Sequence, residues 1–422
     1  MHQTFISGYM HMTTIDIKNK TLENFYMPIM CFILGLSICS STAIMSATYI
    51  AIAFFVLFKR DFLLSLKHAF KNKFIITSVM FYGVFVVGTL WSVAPAHDAF
   101  KMLTRIHGFL LVPLLFVAFQ FGSSAKMLLR GFILGAIITA SLSVISFLSN
   151  HHILYGTKDT TWVIFHGHIL HNAFMAIASG FILCEILNPK NNKMRIFYII
   201  CYLILLIDVL FIVIGRTGQI MFGCINIFLL LYYFRTKGIL IAFVILSILA
   251  PLLYLSPAIK IGLNNYQSDV ENYNQGNMET SFGLRLVFHR VSAAIIQEKP
   301  FFGYGTGSFN AVYKNYINKH NIKILTTNPH RDILWIGVET GIIGIAMFTF
   351  MIICIMIDMF YTSYPVRGIG FGIIFSYLIA SIHNSFFIDN ITGMAFIVLI
   401  SGLIAFNKTN PIHSSSLKPG RR

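Results

Sequence analysis

Two arginines and a histidine stand at the edges of long apolar runs. Arg216 lies in Ile214-Gly-Arg-Thr-Gly-Gln219, with apolar residues on both sides and almost no loop. A guanidinium that close to hydrocarbon is costly unless it faces water, a partner or a ligand. One reading is a fixed phosphate contact, because the guanidinium fork grips phosphate with two parallel hydrogen bonds. The other is snorkelling to lipid headgroups, or pairing with Asp208 two helical turns away. Arg285 sits on a helical stretch with His289 one turn on and Arg290 beside it. His330 follows Asn328-Pro329, where the chain turns back into an apolar run. An imidazole there can act as a general base near neutral pH. Glu339, nine residues on, is placed to satisfy a neighbouring helix.

Other constellations are weaker. Phe301-Phe-Gly-Tyr-Gly-Thr-Gly-Ser-Phe309 has three glycines at alternate positions, where backbone can turn tightly or approach a ligand. It is no dinucleotide fingerprint, since no strand–helix unit surrounds it. His151-His152 and the run Phe165-His-Gly-His-Ile-Leu-His171 come nearest to a metal site, but no Cys or carboxylate stands near them in sequence. Polar helix packing or a substrate contact is expected there instead. All six cysteines (Cys31, Cys39, Cys184, Cys201, Cys224 and Cys354) fall in apolar runs without a CxxC pair, as helix-packing residues.

The elements that must position these residues follow from composition. The 422 residues are 56% hydrophobic and only 11% charged, with mean hydropathy +0.75. A soluble domain carries about a quarter charged residues, so a soluble fold, a disordered chain and a disulfide-stapled secreted domain are all excluded. An all-α integral membrane protein remains, its spans needing roughly 20 apolar residues each. Twelve are expected, at about 25–41, 43–58, 74–91, 106–121, 131–149, 163–187, 197–214, 217–234, 238–256, 332–358, 368–386 and 392–407. No small-residue cleavage site follows the polar first 24 residues, so an uncleaved anchor is expected. With the N-terminus inside, inner segments hold 19 of the 31 Lys and Arg, and short outer connections only Lys101, Arg105, Lys158 and Arg216. That bias places both termini in the cytoplasm. The formal charge of +16 thus reads as topology plus an anionic partner, with no nucleic acid.

The chain divides into spans one to nine (1–256), one long outer loop (257–331) and spans ten to twelve (332–422). The loop is polar and loop-like from Asn264 to Thr280, then helical from Ser281 to Glu298, with Leu284, Val287, Phe288, Val291 and Ile295 at helical spacing. Lys299-Pro300 stops that helix, and a second runs from Ala311 to Lys319. Eight basic residues against Asp269, Glu271, Glu279 and Glu298 give the loop a surplus of four positive charges. Such a loop suits an anionic ligand at the membrane surface.

Taken in order, the Gly-Arg-Thr-Gly hairpin, Ser281-x-x-x-Arg285, Lys299-Pro-Phe-Phe-Gly-Tyr-Gly-Thr-Gly-Ser-Phe309, Asn328-Pro-His330 and Val338-Glu-Thr-Gly-Ile-Ile-Gly344 resemble the O-antigen ligase family of bacterial envelopes. That family shares its large outer loop with O-antigen polymerases and protein O-oligosaccharyltransferases. The motifs cover about 216–344; elsewhere only hydropathy and span count agree. The resemblance implies an inverting glycosyltransferase of the bacterial inner membrane, without metal or cofactor, active on the periplasmic face. Its donor would be O-antigen polysaccharide on undecaprenyl pyrophosphate, and its acceptor a sugar hydroxyl of lipid A–core, with membrane lipids around both.

By motif, Arg216 and Arg285 match the arginines expected to hold the pyrophosphate, and His330 the histidine that activates the acceptor. His289, Arg290, Tyr304 and Arg331 are further candidate substrate contacts. Trp162, Tyr304, Phe309 and Trp335 can stack on sugar faces or anchor at the lipid interface. Family members commonly follow the histidine with a small polar residue, whereas Arg331-Asp332 follows here. That implies either a third phosphate contact or a different acceptor side. A polymerase or a protein-glycosylating enzyme of the same superfamily stays open. A transporter of lipid-linked glycan is the reading from another class, but no repeat relates the two halves.

Overall fold

A computed structural model describes residues 23–151, 162–275, 278 and 280–409. Lys18 and Lys20 of the expected anchor, His152, Lys158, Glu279 and the tail residues Lys418, Arg421 and Arg422 lie outside the described residues. Among the described residues, every regular element is helical. The first half comprises α1 (Glu23–Ser40), α2 (Thr42–Phe58), α3 (Arg60–Ala69), α4 (Lys73–Gly88), α5 (Ala96–Arg105), α6 (Gly108–Phe119), α7 (Ser124–Ser149), α8 (His168–Leu187) and α9 (Asn192–Ile207). The second comprises α10 (Arg216–Phe234), α11 (Thr236–Leu255), α12 (Pro257–Asn274), α13 (Ser281–Glu298), α14 (Phe309–Lys319), α15 (Asp332–Phe360), α16 (Tyr364–Ala380) and α17 (Asn390–Thr409).

Eight of the expected spans fall on helical stretches long and apolar enough to cross a membrane. The other four fall on the pair Thr42–Phe58 and Leu63–Ala69, bent by 106°, and on the shorter apolar helices Phe25–Ser40, Thr236–Ile245 and Tyr364–Ala380. Large apolar side chains such as Phe54, Ile138, Ile200, Phe243 and Phe350 stand exposed on helix surfaces. Water disfavours so much exposed hydrocarbon and lipid accepts it, so the chain is a multi-pass membrane protein. Between helices the packing is close: Gly35 of α1 meets the α7 backbone at Leu128, and Gly131 of α7 meets α1 at Phe32. Small residues let membrane helices approach this way. All six cysteines are free, and Cys31, Cys39, Cys201 and Cys354 are buried between helices.

The segment between α11 and α15 is more helical than expected. Asn264 to Asn274 belongs to α12 and is not a loop. From Leu263 to Gln275 the chain holds neither Pro nor Gly. Its Asn and Ser residues lower helix propensity without forbidding a helix. α13 has the expected bounds, its start capped by Thr280, whose hydroxyl accepts from Gly283 N at 3.1 Å.

The glycine motif turns out to be a clip between helices. α15 breaks at Gly341 (φ +63°, ψ −157°). The loop lies along this region: Tyr304 N and Gly305 N donate to the carbonyls of Val338 and Glu339, both at 2.9 Å, and Ile342 N donates to Pro300 O at 2.8 Å. On its other side, Thr306 N donates to Gly88 O at 3.1 Å, and Ser92 Oγ to Thr306 O at 2.7 Å. Gly305 has φ +92°, and a Cβ there would strike the Ser92 backbone. The close approach expected of these glycines is therefore to protein backbone.

Candidate functional site

The Gly-Arg-Thr-Gly hairpin is held from two directions. The helix ending at Ile207 continues as one π turn, Asp208–Ile212, a form that recurs at functional sites. Asn172 of α8 donates to Val213 O at 3.1 Å and lies against Gly218, whose missing Cβ leaves room for it. Asp208 is not the partner of Arg216. It is fully buried and bonds His171 Nε2 at 2.7 Å, which also gives His171 a polar packing role. Arg216, the first residue of α10, instead passes close to Gly262 of α12.

Arg285 comes from the second turn of α13, partly buried. Burial and the nearby Arg216 charge lower its pKa, and Asp269 of α12 offsets part of this. His289 lies one turn further along the same face, and its Nε2 is buried with no hydrogen-bond partner among the described residues. Burial, then the charge of Arg331, holds its pKa down at about 4, with smaller contributions from His383 and Arg285 and an opposing backbone hydrogen bond at His330. Arg290, the next residue, is exposed.

His330 is set in an unusual backbone. Its φ is +54°, a left-handed conformation uncommon for a residue with a side chain. Asn328 Oδ1 holds it there, accepting from His330 N at 2.7 Å and from Ser385 Oγ at 2.8 Å. The His330 ring stacks on Phe288 of α13, centroids 5.9 Å apart. Burial and the Arg285 charge lower the His330 pKa, so the imidazole is neutral and able to accept a proton near pH 7.

The Asp332 half of the Arg331-Asp332 departure has a structural explanation. Asp332 is fully buried at the start of α15, and its carboxylate accepts from Phe387 N at 3.1 Å and Ile388 N at 2.9 Å. This fixes the turn between α16 and α17. The same turn carries His383, whose pKa is lowered by burial and then by Arg285, Arg331 and Arg216. His383, exposed on this turn, therefore stands within the field of the three arginines and was missed in the sequence, because α16 ends at Ala380 whereas the apolar run suggested a span to 386. The polar run His383-Asn-Ser385 at its end was the available signal.

Three arginines thus converge from α10, α13 and the start of α15, with His289, His330 and His383 among them. Among the described residues, none of Arg216, Arg285 and Arg331 has a carboxylate within ion-pair distance. Unneutralised guanidinium groups in a partly dry site can hold a multiply charged phosphate, with a neutral imidazole alongside to take a proton.

The other candidates lie apart. Tyr304 donates to Glu298 Oε2 at 2.6 Å, and its ring faces Lys299 Nζ at 4.6 Å. Phe309 is 1% and Trp335 5% exposed, too buried to serve as interfacial anchors. Glu339 accepts from Trp335 Nε1 and from Gly307 N, both at 2.9 Å, so it bonds its own helix and the glycine clip. Trp162 meets Phe147 edge-on.

A family model described as O-antigen ligase matches residues 201–349, the stretch that carries Arg216, Arg285, His330 and Glu339. No curated protein matches the chain. Through residues 201–349 this membrane protein is related to the O-antigen ligase family.

Proposed function

We propose that the chain is an O-antigen ligase of the bacterial inner membrane, transferring O-antigen polysaccharide from undecaprenyl pyrophosphate to a sugar hydroxyl of lipid A–core on the periplasmic face. The observation that carries this reading is a cluster of three arginines, unpaired among the described residues, in which Arg285 lies near Arg216 and acts on the partly buried His330, and all three act on His383. Arg216 and Arg285, with Arg331 beside them, hold the pyrophosphate. His330 accepts the proton of the acceptor hydroxyl as its oxygen attacks the anomeric carbon. The bond from that carbon to the pyrophosphate oxygen breaks, the leaving group departs with the electron pair, and the configuration inverts.

Pyrophosphate is already a good leaving group, so the chain's own task is charge stabilisation and one deprotonation. Each arginine is worth about 3–4 kcal/mol if it acts as a preorganised transition-state donor. General-base assistance from His330 adds roughly 10²–10⁴-fold. His289 and His383 border the same pyrophosphate site.

The test is transfer by the purified protein from a pyrophosphate-linked glycan to lipid A–core, supplied without nucleotide. Polysaccharide-capped lipid A–core is the expected product. Lengthening of the lipid-linked glycan itself would assign the chain to the polymerases, and labelling of protein hydroxyls to the protein-glycosylating enzymes.

A further inference from the structure

A cleft of about 150 Å³ opens between α5, the start of α14 and the start of α15. Its floor is preorganised. Phe309 and Trp335 pack with centroids 5.5 Å apart, the Arg105 guanidinium lies 4.6 Å over the Trp335 ring, and both oxygens of Glu339 are engaged. Its rim is polar and of mixed sign, with Asp98, Lys101, Asn310 and Thr327. Among the described residues, the side chains of Lys101, Asn310 and Thr327 make no hydrogen bond or ion pair. Asp98 meets only its neighbour His97, at 3.2 Å.

This chemistry selects a ligand class. Two acids, Asp98 and Glu339, offset Lys101 and Arg105, so the lining carries no surplus positive charge to hold a second pyrophosphate. A lipid tail would leave the rim's donors and acceptors unpaired, a cost of about 1–3 kcal/mol for each group so buried. Sugar hydroxyls both donate and accept, so they match a rim that offers carboxylate, ammonium, amide and hydroxyl together. An apolar floor beneath a few convergent polar groups is also the usual build of a small-ligand site.

Position then assigns the sugar. Thr327 lies three residues before His330, a stretch that spans at most about 10 Å. An aromatic series also joins the two sites: Trp335 packs on Phe309, Phe309 on Tyr313, Tyr313 on Phe288 and Phe288 on His330. We propose that this cleft is the acceptor subsite, holding a sugar of the acceptor glycan next to the one whose hydroxyl reacts. The assignment rests on the transferase reading above and gives the acceptor its own place, separate from the arginines that face the donor.

Thr327→Trp and Asn310→Trp test it, because both positions are exposed and neither belongs to the floor. Each should raise the KM for lipid A–core about tenfold or more, with kcat at saturating acceptor and the KM for lipid-linked donor unchanged. Lipid-free core oligosaccharide should bind the wild-type protein, and bind Arg216→Ala equally well, but be lost from both tryptophan variants in calorimetry. An unchanged acceptor KM, a raised donor KM, or oligosaccharide binding indifferent to both tryptophans would overturn the subsite. Absence of transfer by a wild-type protein that still binds core oligosaccharide in this cleft would instead overturn the ligase reading and leave the subsite standing.

Discussion

Asn384 Nδ2 donates to Thr217 Oγ1 at 2.9 Å, a bond between residues 167 apart in sequence. It fastens the turn after α16 to the residue that follows Arg216. The adjacent Ser385 fastens the same turn to Asn328, two residues before His330. One short segment thus sets the distance between the hairpin arginine and the candidate base. Asn384→Ala should lower transfer about five- to tenfold, since a net hydrogen bond is worth about 1 kcal/mol. Thr217→Val should cost a similar factor, and the double variant little more than either alone. Strictly additive losses in kcat/KM would show that the bond does not position Arg216.

Arg216 and Arg285 are mutually repulsive in the absence of ligand, and burial adds to the cost of the Arg285 charge. Such an arrangement would be stabilised by an anion bound between them. Replacing either by Ala should reduce transfer by about 10²–10³-fold, the usual effect of removing a preorganised donor. Lysine restores the charge without the planar fork, so Arg285→Lys should recover only part of the loss. Initial rates of transfer to lipid A–core measure this. A fully active lysine variant would mean that the site uses point charge alone.

Glu339 makes a prediction about stability. Its two oxygens accept from Trp335 Nε1 and Gly307 N, one bond within α15 and one to the glycine clip. Glu339→Gln keeps the shape but replaces one acceptor by an N–H that faces another N–H. The thermal midpoint in detergent should fall, by the equivalent of about 1–3 kcal/mol for a buried group left unpaired. Glu339→Ala should fall further, because it releases both bonds and opens space beside Trp335. An unchanged midpoint in the Gln variant would mean that the clip does not depend on this carboxylate.

What the sequence revealed and what it hid have a common cause. Apolar runs locate spans because lipid imposes a single requirement on every one of them, so the expected spans fall on helices from α1 to α17. The α13 boundaries were equally legible, because Thr280 and Lys299-Pro300 are local start and stop signals. Long-range partners left no such trace. Asp208 looked available to Arg216 by spacing, but a histidine 37 residues earlier takes it. The three glycines showed that something approaches closely, though not that it is α15, Ser92 and the start of α5. His383 was hidden inside an apolar run whose helical end came earlier than hydropathy suggested. Pairwise geometry between distant segments decided each of these, and a one-dimensional pattern does not record it.

The pH dependence of transfer tests His330 directly. Burial and Arg285 lower its pKa below the ordinary histidine value of about 6.5. A base works in its neutral form, and a lowered pKa keeps that form populated as pH falls below 6.5. Competence is lost only when pH falls through the lowered value, so the acid limb of kcat/KM should lie below 6.5. If Arg285 holds the donor pyrophosphate as proposed, donor binding offsets the repulsion that depresses the imidazole. The limb of kcat, which reports the bound complex, should therefore lie at higher pH than the limb of kcat/KM. His330→Gln should remove roughly 10²–10⁴-fold of the rate together with this limb. An acid limb that survives at the same pH in the glutamine variant would belong to another group, and His330 would not be the base.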